Sequence, residues 1–220
     1  MQTINQITFQ KQKTMKKIIS YLLLITALSF SAKAQDGSDK AFNENSRVLN
    51  TGIGAGSGSY AAYRGGGYVY KSSPAFSISY EHALPRKLGP GYLGLGAYLG
   101  YQSSTARNNT AYYNGGYYYY QHKWRSFLVG ARGAYHFDFI NWERAEIYAG
   151  VIAGFRVQTY SYDTNNPDPL KDNYRLNQGS VVPAASLFAG ARWYFVENIG
   201  VFGEVGYGIS YATVGFSFKL

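Results

Sequence analysis

The sequence predicts an all-β chain, an eight-stranded antiparallel up-and-down transmembrane barrel with a polar lumen filled by side chains. Three observations predict it. Segments long enough to cross a bilayer as tilted strands alternate apolar with small or polar residues at period 2. The pattern holds to the end of the chain, where Val214, Phe216, Phe218 and Leu220 share one face and Thr213, Gly215, Ser217 and Lys219 the other. The connections between segments alternate in length. The faces opposite the apolar rows are mostly Gly, Ser and Ala, which suits a narrow interior and not a hydrated outer surface.

Taken in order, the first strand places Leu49, Thr51, Ile53 and Ala55 opposite Asn50, Gly52, Gly54 and Gly56. The second places Phe76, Ile78 and Tyr80 opposite Ser77, Ser79 and Glu81. Leu84 to Gly91, with two Pro and two Gly, is expected to be the turn into a strand carrying Leu93, Leu95, Ala97, Leu99 and Tyr101. Ser103 to His122 is expected to be a long polar loop. The next two strands carry Phe127, Val129, Tyr135 and Phe137, then Ile147, Val151, Phe155 and Val157. With the Gly-, Tyr- and Ser-rich loop that follows the first strand through Ser73, a third long loop is expected from Ser161 to Ser180. The next apolar row includes Leu187, Ala189, Trp193 and Phe195; a tight turn at Glu197-Asn198 leads to Val201, Val205 and Tyr207. Long connections follow strands one, three and five. This places both ends of the barrel on the side of the short turns.

Composition narrows the reading. The chain has 220 residues, 26 Gly, 23 Tyr and no Cys. Disulfides, thiolate metal sites and a cysteine nucleophile are therefore excluded. A mean hydropathy of -0.25 fits a barrel that shows apolar side chains at every second position only. The formal charge of +9 is uneven: five of the 21 Lys and Arg, and none of the 12 acids, precede Gln35. The remainder, 16 minus 12, is +4, with no basic run of the kind that binds nucleic acid.

Residues 1–34 read as a signal peptide, with Met15 an alternative start. Met15-Lys16-Lys17 is the basic region, Ile18 to Phe30 the apolar region and Ala32-Lys33-Ala34 the cleavage motif. Residues 35–46 read as a flexible periplasmic tail, and 47–220 as the outer-membrane barrel.

The charges on the small faces decide which side meets lipid. An Arg near mid-bilayer on the lipid side costs about 2–4 kcal/mol. Glu81, Arg132, Arg156, Arg192 and Glu204 are therefore expected inside, as a paired lumen network, with glycines making room. Aromatic residues cluster near both ends of the apolar rows, as interfacial girdles do.

Gly190-Ala191-Arg192-Trp193-Tyr194-Phe195 and the segment Glu197 to Gly208 resemble the small OmpA/OmpX-type outer-membrane barrels. More closely, they resemble uncharacterised outer-membrane β-barrel proteins common in Bacteroidetes. The ending in Phe216, Phe218 and Leu220 resembles the C-terminal signal read by the barrel-assembly machinery, which usually ends in Phe. The resemblance implies export to the bacterial outer membrane and contact there with outer-membrane lipid or lipopolysaccharide.

Catalytic, cofactor and metal sites are not expected. His82, His122 and His136 are read as rim or loop residues, and none belongs to the His-x-Ser pair that marks lipid A deacylases. Asp163, Asp168 and Asp172 lack calcium-loop spacing. Tyr112, Tyr113, Tyr117, Tyr118, Tyr119 and Tyr120 are candidates for loop contact with a surface ligand. The expected function is non-enzymatic, structural or in surface interaction. A small channel for ions or apolar solutes is the alternative, and a lipid-modifying barrel the third reading.

Overall fold

The computed structural model describes residues 40–56, 67–113, 116–138, 142–166 and 178–220. The chain divides into two compact units, 1–37 with Leu220, and 38–219; the second carries all the described strands. The expected signal peptide and the residues 57–66 and 167–177 lie outside the described residues, as do Asp168 and Asp172.

The described strands are β1 (Arg47–Gly56), β2 (Val69–Ser72), β3 (Ala75–Leu88), β4 (Gly91–Tyr113), β5 (Gly116–Phe137), β6 (Ala145–Thr164), β7 (Gln178–Val196), β8 (Ile199–Tyr207) and β9 (Ser210–Lys219). Eight of them form a closed antiparallel ring, β1-β3-β4-β5-β6-β7-β8-β9 and back to β1. Closure joins the first strand to the last, with Leu49 opposite Phe218 and Ile53 opposite Val214. No edge of the ring is left to template another chain. The ninth strand, β2, prolongs β3 along β4. Pro74 interrupts the two because it has no N–H to give the ladder. Ser73 and Ser103 bridge the gap: the Ser73 amide donates to the Ser103 carbonyl at 2.8 Å, and the Ser103 amide donates to the Ser73 hydroxyl at 3.0 Å.

The outward rows are apolar. Ile53, Phe76, Leu99, Val129, Phe155, Leu187, Val205 and Phe216 all expose at least 44% of their surface. On an aqueous protein, contiguous exposure of this extent would promote association. The inward positions are closed: Asn50, Glu81, Arg132, Tyr148, Phe188, Arg192 and Ser217 are buried.

Two sequence expectations are corrected. The turn read over Leu84 to Gly91 is shorter, because β3 runs to Leu88 and only Gly89-Pro90 turns. Gly89 has φ +59°, a left-handed conformation that a side chain would strain. The ladder shifts register between Ala83 and Lys87, around Pro85, whose missing N–H favours a bulge there.

The loop read over Ser103 to His122 is a β-hairpin. β4 and β5 stay paired out to Tyr113 and Gly116, and β6 continues to Thr164. The physical reason lies in the outward rows across β4, β5 and β6. Leu99, Val129 and Phe155 form one row, and Tyr101, Phe127 and Val157 the next. Two residues further on the row is Ser103, Arg125 and Thr159, then Thr105, Lys123 and Ser161. Alternation continues with its polarity reversed. The outward face is now polar, and the inward face carries His122, Trp124, Tyr160 and Tyr162. A sheet that leaves an apolar solvent for water needs this reversal, because its inner face becomes the side that must be kept dry.

Candidate functional site

The lumen is filled in two layers. The half nearer the short turns holds a charge cluster built from seven strands. Glycines open the space: a Cβ on Gly94 would meet His136 Nε2 at 3.1 Å and Glu81 Oε2 at 3.3 Å. Arg132 on β5 donates from Nε to Glu81 Oε1 at 2.9 Å, and from Nη2 to Glu204 Oε1 at 2.5 Å. Its guanidinium carbon lies 3.8 Å from the centroid of the Phe188 ring. Tyr148 donates its hydroxyl to Glu204 Oε1 at 2.9 Å.

Arg192 on β7 pairs with Glu146 through Nη1 and donates from Nε to Ser217 Oγ at 3.0 Å. Its Nη2 lies 3.5 Å from Glu81 Oε1. Asn50 completes this layer, donating to Ser79 and Glu81, each at 3.2 Å, and accepting from Ser217 at 2.7 Å.

His136 links the two arginine systems. Its Nδ1 lies 2.6 Å from Glu146 Oε2 and its Nε2 lies 3.0 Å from Glu81 Oε2. A ring that donates from both nitrogens satisfies both carboxylates. In that form Arg132, Arg192 and His136 balance Glu81, Glu146 and Glu204. Buried charges require such pairing, since one removed partner leaves another uncompensated.

Four of the five residues expected in the lumen network are brought together: Glu81, Arg132, Arg192 and Glu204. Arg156 is not among them. It sits nearer the hairpin end, where Nη2 donates to the Gly208 carbonyl at 3.2 Å, and no carboxylate among the described residues pairs with it. Glu146, His136, Asn50 and Ser217 are further members that the sequence reading does not include. The signal was present, because all four stand on the small or polar face of their strands. His136, expected at the rim, is 2% exposed inside the barrel.

Above the charges lies an apolar cluster of Ala75, Tyr98, Leu128, Ile152, Phe188 and Ile209. A cavity of about 30 Å³, lined in part by Tyr98, Ser186, Phe188, Glu204 and Ile209, lies in this part of the barrel beside the β8–β9 connection. This is room for about one water molecule. Among the described residues no group of three or more His, Cys, Asp or Glu is placed to hold a metal ion.

The short-turn mouth is covered by the chain before β1. Residues 35–46 were expected as a flexible tail, yet the described part, Lys40 to Ser46, is packed. Phe42 is 4% exposed and stacks on His136, with ring centroids 3.5 Å apart and planes at 3°. Lys40 Nζ donates to Asp138 Oδ1 at 2.8 Å, Lys87 Nζ donates to Asp138 Oδ2 at 2.5 Å, and Lys219 Nζ donates to the Lys40 carbonyl at 3.0 Å. Burying a Phe side chain contributes about 1.5–3 kcal/mol. Phe42→Ala is therefore expected to release the segment without opening the ring. Hydrogen exchange would show amides 41–46 losing protection while β5 and β6 keep theirs; unchanged protection at 41–46 would contradict the packing role.

Partial burial pushes the Asp138 carboxyl up, but the hydrogen bonds and charges of Lys40 and Lys87 outweigh it and hold it below the usual carboxylate range. A depressed folded-state pKa means that the tether is fully present above the ordinary aspartate value of about 3.9. It is lost as pH falls through the folded value. Asp138→Asn is expected to speed tryptic cleavage after Lys40 at neutral pH by up to about fivefold, the range of exposed ion pairs. An unchanged cleavage rate would show that the ion pair does not hold the segment.

At the other end the tyrosines divide. The Tyr112 and Tyr113 side chains lie outside the described set, although their backbones pair with Tyr117 and Gly116. Tyr117 is 74% exposed. Tyr118 lies on the hairpin opposite Ala111. Tyr119 donates its hydroxyl to Asp163 at 2.9 Å, and Arg107 stacks over its ring at 4.4 Å. Tyr120 accepts from Asn166 at 2.9 Å and stacks with Tyr162. Inside the hairpin sheet, His122 meets the Tyr160 hydroxyl at 2.7 Å and lies against the rings of Tyr68, Trp124 and Tyr162. Tyr119 and Tyr120 thus brace the hairpins. Of the expected assembly-signal residues, Phe216 is exposed on β9, Phe218 is half-buried and Leu220 follows the strand, exposed.

No protein-family model matches the chain, and no curated protein matches it. Solved structures do. Ail, the attachment invasion locus protein of Yersinia pestis, solved in complex with the heparin analogue sucrose octasulfate, is 11% identical, with 79% of this chain and 93% of Ail covered and a TM-score of 0.34. The N-terminal β-barrel domain of Pseudomonas aeruginosa OprF is 13% identical, with 80% and 98% covered and a TM-score of 0.39. Ail in a phospholipid bilayer nanodisc is 12% identical, with 80% and 100% covered and a TM-score of 0.36. At these values the likeness adds nothing to the register of the strands, which by itself makes this chain a closed antiparallel β-barrel.

Proposed function

We propose that the chain is an integral barrel of the bacterial outer membrane, exported by its N-terminal signal, with a structural or surface-interaction role and no enzymatic one. The observation that carries this is the abrupt change in the outward rows, from Tyr101, Phe127 and Val157 to Ser103, Arg125 and Thr159. Phe127 and Phe137 face outward ten residues apart on β5 and mark the two edges of the apolar band. At about 3.3 Å per residue and a tilt of about 40°, that separation spans about 25 Å, the height of an outer-membrane apolar band. Tyr101 packs on Phe127 at 4.7 Å at one edge, and Tyr135 on Phe137 at 5.0 Å at the other, as girdles require.

The long hairpins then stand outside the cell, and Lys40 to Ser46 lies at the periplasmic mouth. The segment from Gly190 to Gly208 supports placing the protein beside the Bacteroidetes outer-membrane barrels, and the Phe216–Leu220 ending supports delivery by the barrel-assembly machinery. The two-layered lumen favours the non-conducting reading over a channel. Planar-bilayer recording of the purified, folded chain tests it: no stable single-channel steps are expected. Reproducible steps would move the function to transport.

A further inference from the structure

The reversal of outward polarity places a set of cations at the edge of the apolar band. Lys123 and Arg125 face outward on β5, in the same row parity as Phe127 and Val129. Lys71 on β2 is opposite Thr105 on β4, and Thr105 is opposite Lys123. Lys71 and Lys123 thus flank Thr105, each about 4.8 Å away across one strand spacing. Arg125 stands two residues nearer the band, opposite Ser103 on one side and Thr159 on the other. Lys71 and Arg125 are exposed and Lys123 is half-buried.

No carboxylate among the described residues pairs with any of the three. A fourth outward cation, Arg107, is engaged with the Tyr119 ring at 4.4 Å and with Asn109 Oδ1 at 2.6 Å. Asp163 is the one acid among the described residues at this end of the barrel, and it accepts from Tyr119. The neighbours of the three cations are Thr105, Thr159 and Ser161, which carry hydroxyls, and Ser103, whose hydroxyl donates to the Trp124 carbonyl at 3.2 Å.

We propose that Lys71, Lys123 and Arg125, with the Ser and Thr hydroxyls between them, form a docking surface for the phosphate groups of outer-leaflet lipid headgroups. This rests on the membrane reading under Proposed function, with the hairpins outside. Three observations support it together. The cations face away from the barrel axis. They begin one row above the last apolar row, where headgroups lie. The small hydroxyl side chains between them leave phosphate oxygens within reach of both donors and charges. The tyrosines at the hairpin tip are not needed for this contact.

The test uses the full folded chain in dodecyl maltoside. It is titrated with diphosphoryl lipid A and with the same lipid after enzymatic removal of both phosphates, and bound lipid is counted by native mass spectrometry. The wild type is expected to prefer the phosphorylated lipid. Lys71→Gln, Lys123→Gln and Arg125→Gln should each weaken that binding about fivefold, and the triple variant by on the order of a hundredfold. Added salt should weaken it too. Lys87→Gln, at the opposite mouth, should leave it unchanged.

None of the four side chains fills the lumen, so a folded barrel is expected in each variant and is checked by the heat-dependent shift in gel mobility. Equal binding of both lipids, or full binding by the folded triple variant, overturns the inference while leaving the membrane barrel intact. A chain that stays soluble and takes up neither detergent nor lipid overturns both.

Discussion

Arg132→Met is expected to lower the unfolding free energy of the barrel by about 3–5 kcal/mol, the cost of breaking a buried ion pair from one side. Arg132 is 1% exposed and holds two carboxylates, Glu81 and Glu204. Met fills much of the same volume and keeps contact with the Phe188 ring, so the loss is mainly electrostatic. Two carboxylates would remain in a closed lumen, facing only Arg192, His136, Asn50 and the Tyr148 hydroxyl. Arg156→Ala is the contrasting variant. Its guanidinium reaches one carbonyl and no carboxylate among the described residues, so a loss within about 1.5 kcal/mol is expected, the worth of a single hydrogen bond. Urea unfolding in vesicles, followed by the folded and unfolded gel bands, measures both. Equal effects of the two variants would remove the cluster as the organising feature of the lumen.

Val151→Arg is expected to cost about 2–4 kcal/mol in a bilayer. Val151 is 50% exposed on β6, opposite Gly133 and Leu187, and about midway between the two edges of the apolar band. An Arg there must carry its charge into hydrocarbon or bend toward an edge. On a water-soluble barrel the same position would be surface, and the change would be within about 0.5 kcal/mol. The variant therefore discriminates between the two solvents and does not merely probe packing. A neutral result in vesicles would contradict the orientation of every strand, since the register ties all outward rows to one another.

The alternation of Phe127, Val129 and Tyr135 against Leu128, Arg132 and His136 was enough to assign faces, because period 2 depends on the strand alone. Which charges meet was less legible. Arg156 and Arg192 both stand on inner faces, but only the register puts Arg192 beside Glu146 and leaves Arg156 near Gly208. Height in the barrel is a property of strand pairing and not of composition.

The hairpin over 103–122 reads as a loop in the sequence because the outward rows turn polar there and the aromatics move inside. The period survives while its sign reverses. Phe42 gave no signal at all. A lone aromatic in a polar stretch has no periodicity, and its burial comes from the tertiary contacts with His136, Val48, Ala83 and Tyr92.

The heat-dependent gel mobility of the purified chain tests the membrane barrel most directly. The chain from Gln35 onward is refolded into phospholipid vesicles and run with and without boiling. It is expected to fold only with detergent or lipid, to show a β-rich circular dichroism spectrum, and to migrate faster unheated than heated. A monodisperse, β-rich protein in plain buffer, with the same mobility before and after boiling, would contradict the membrane barrel.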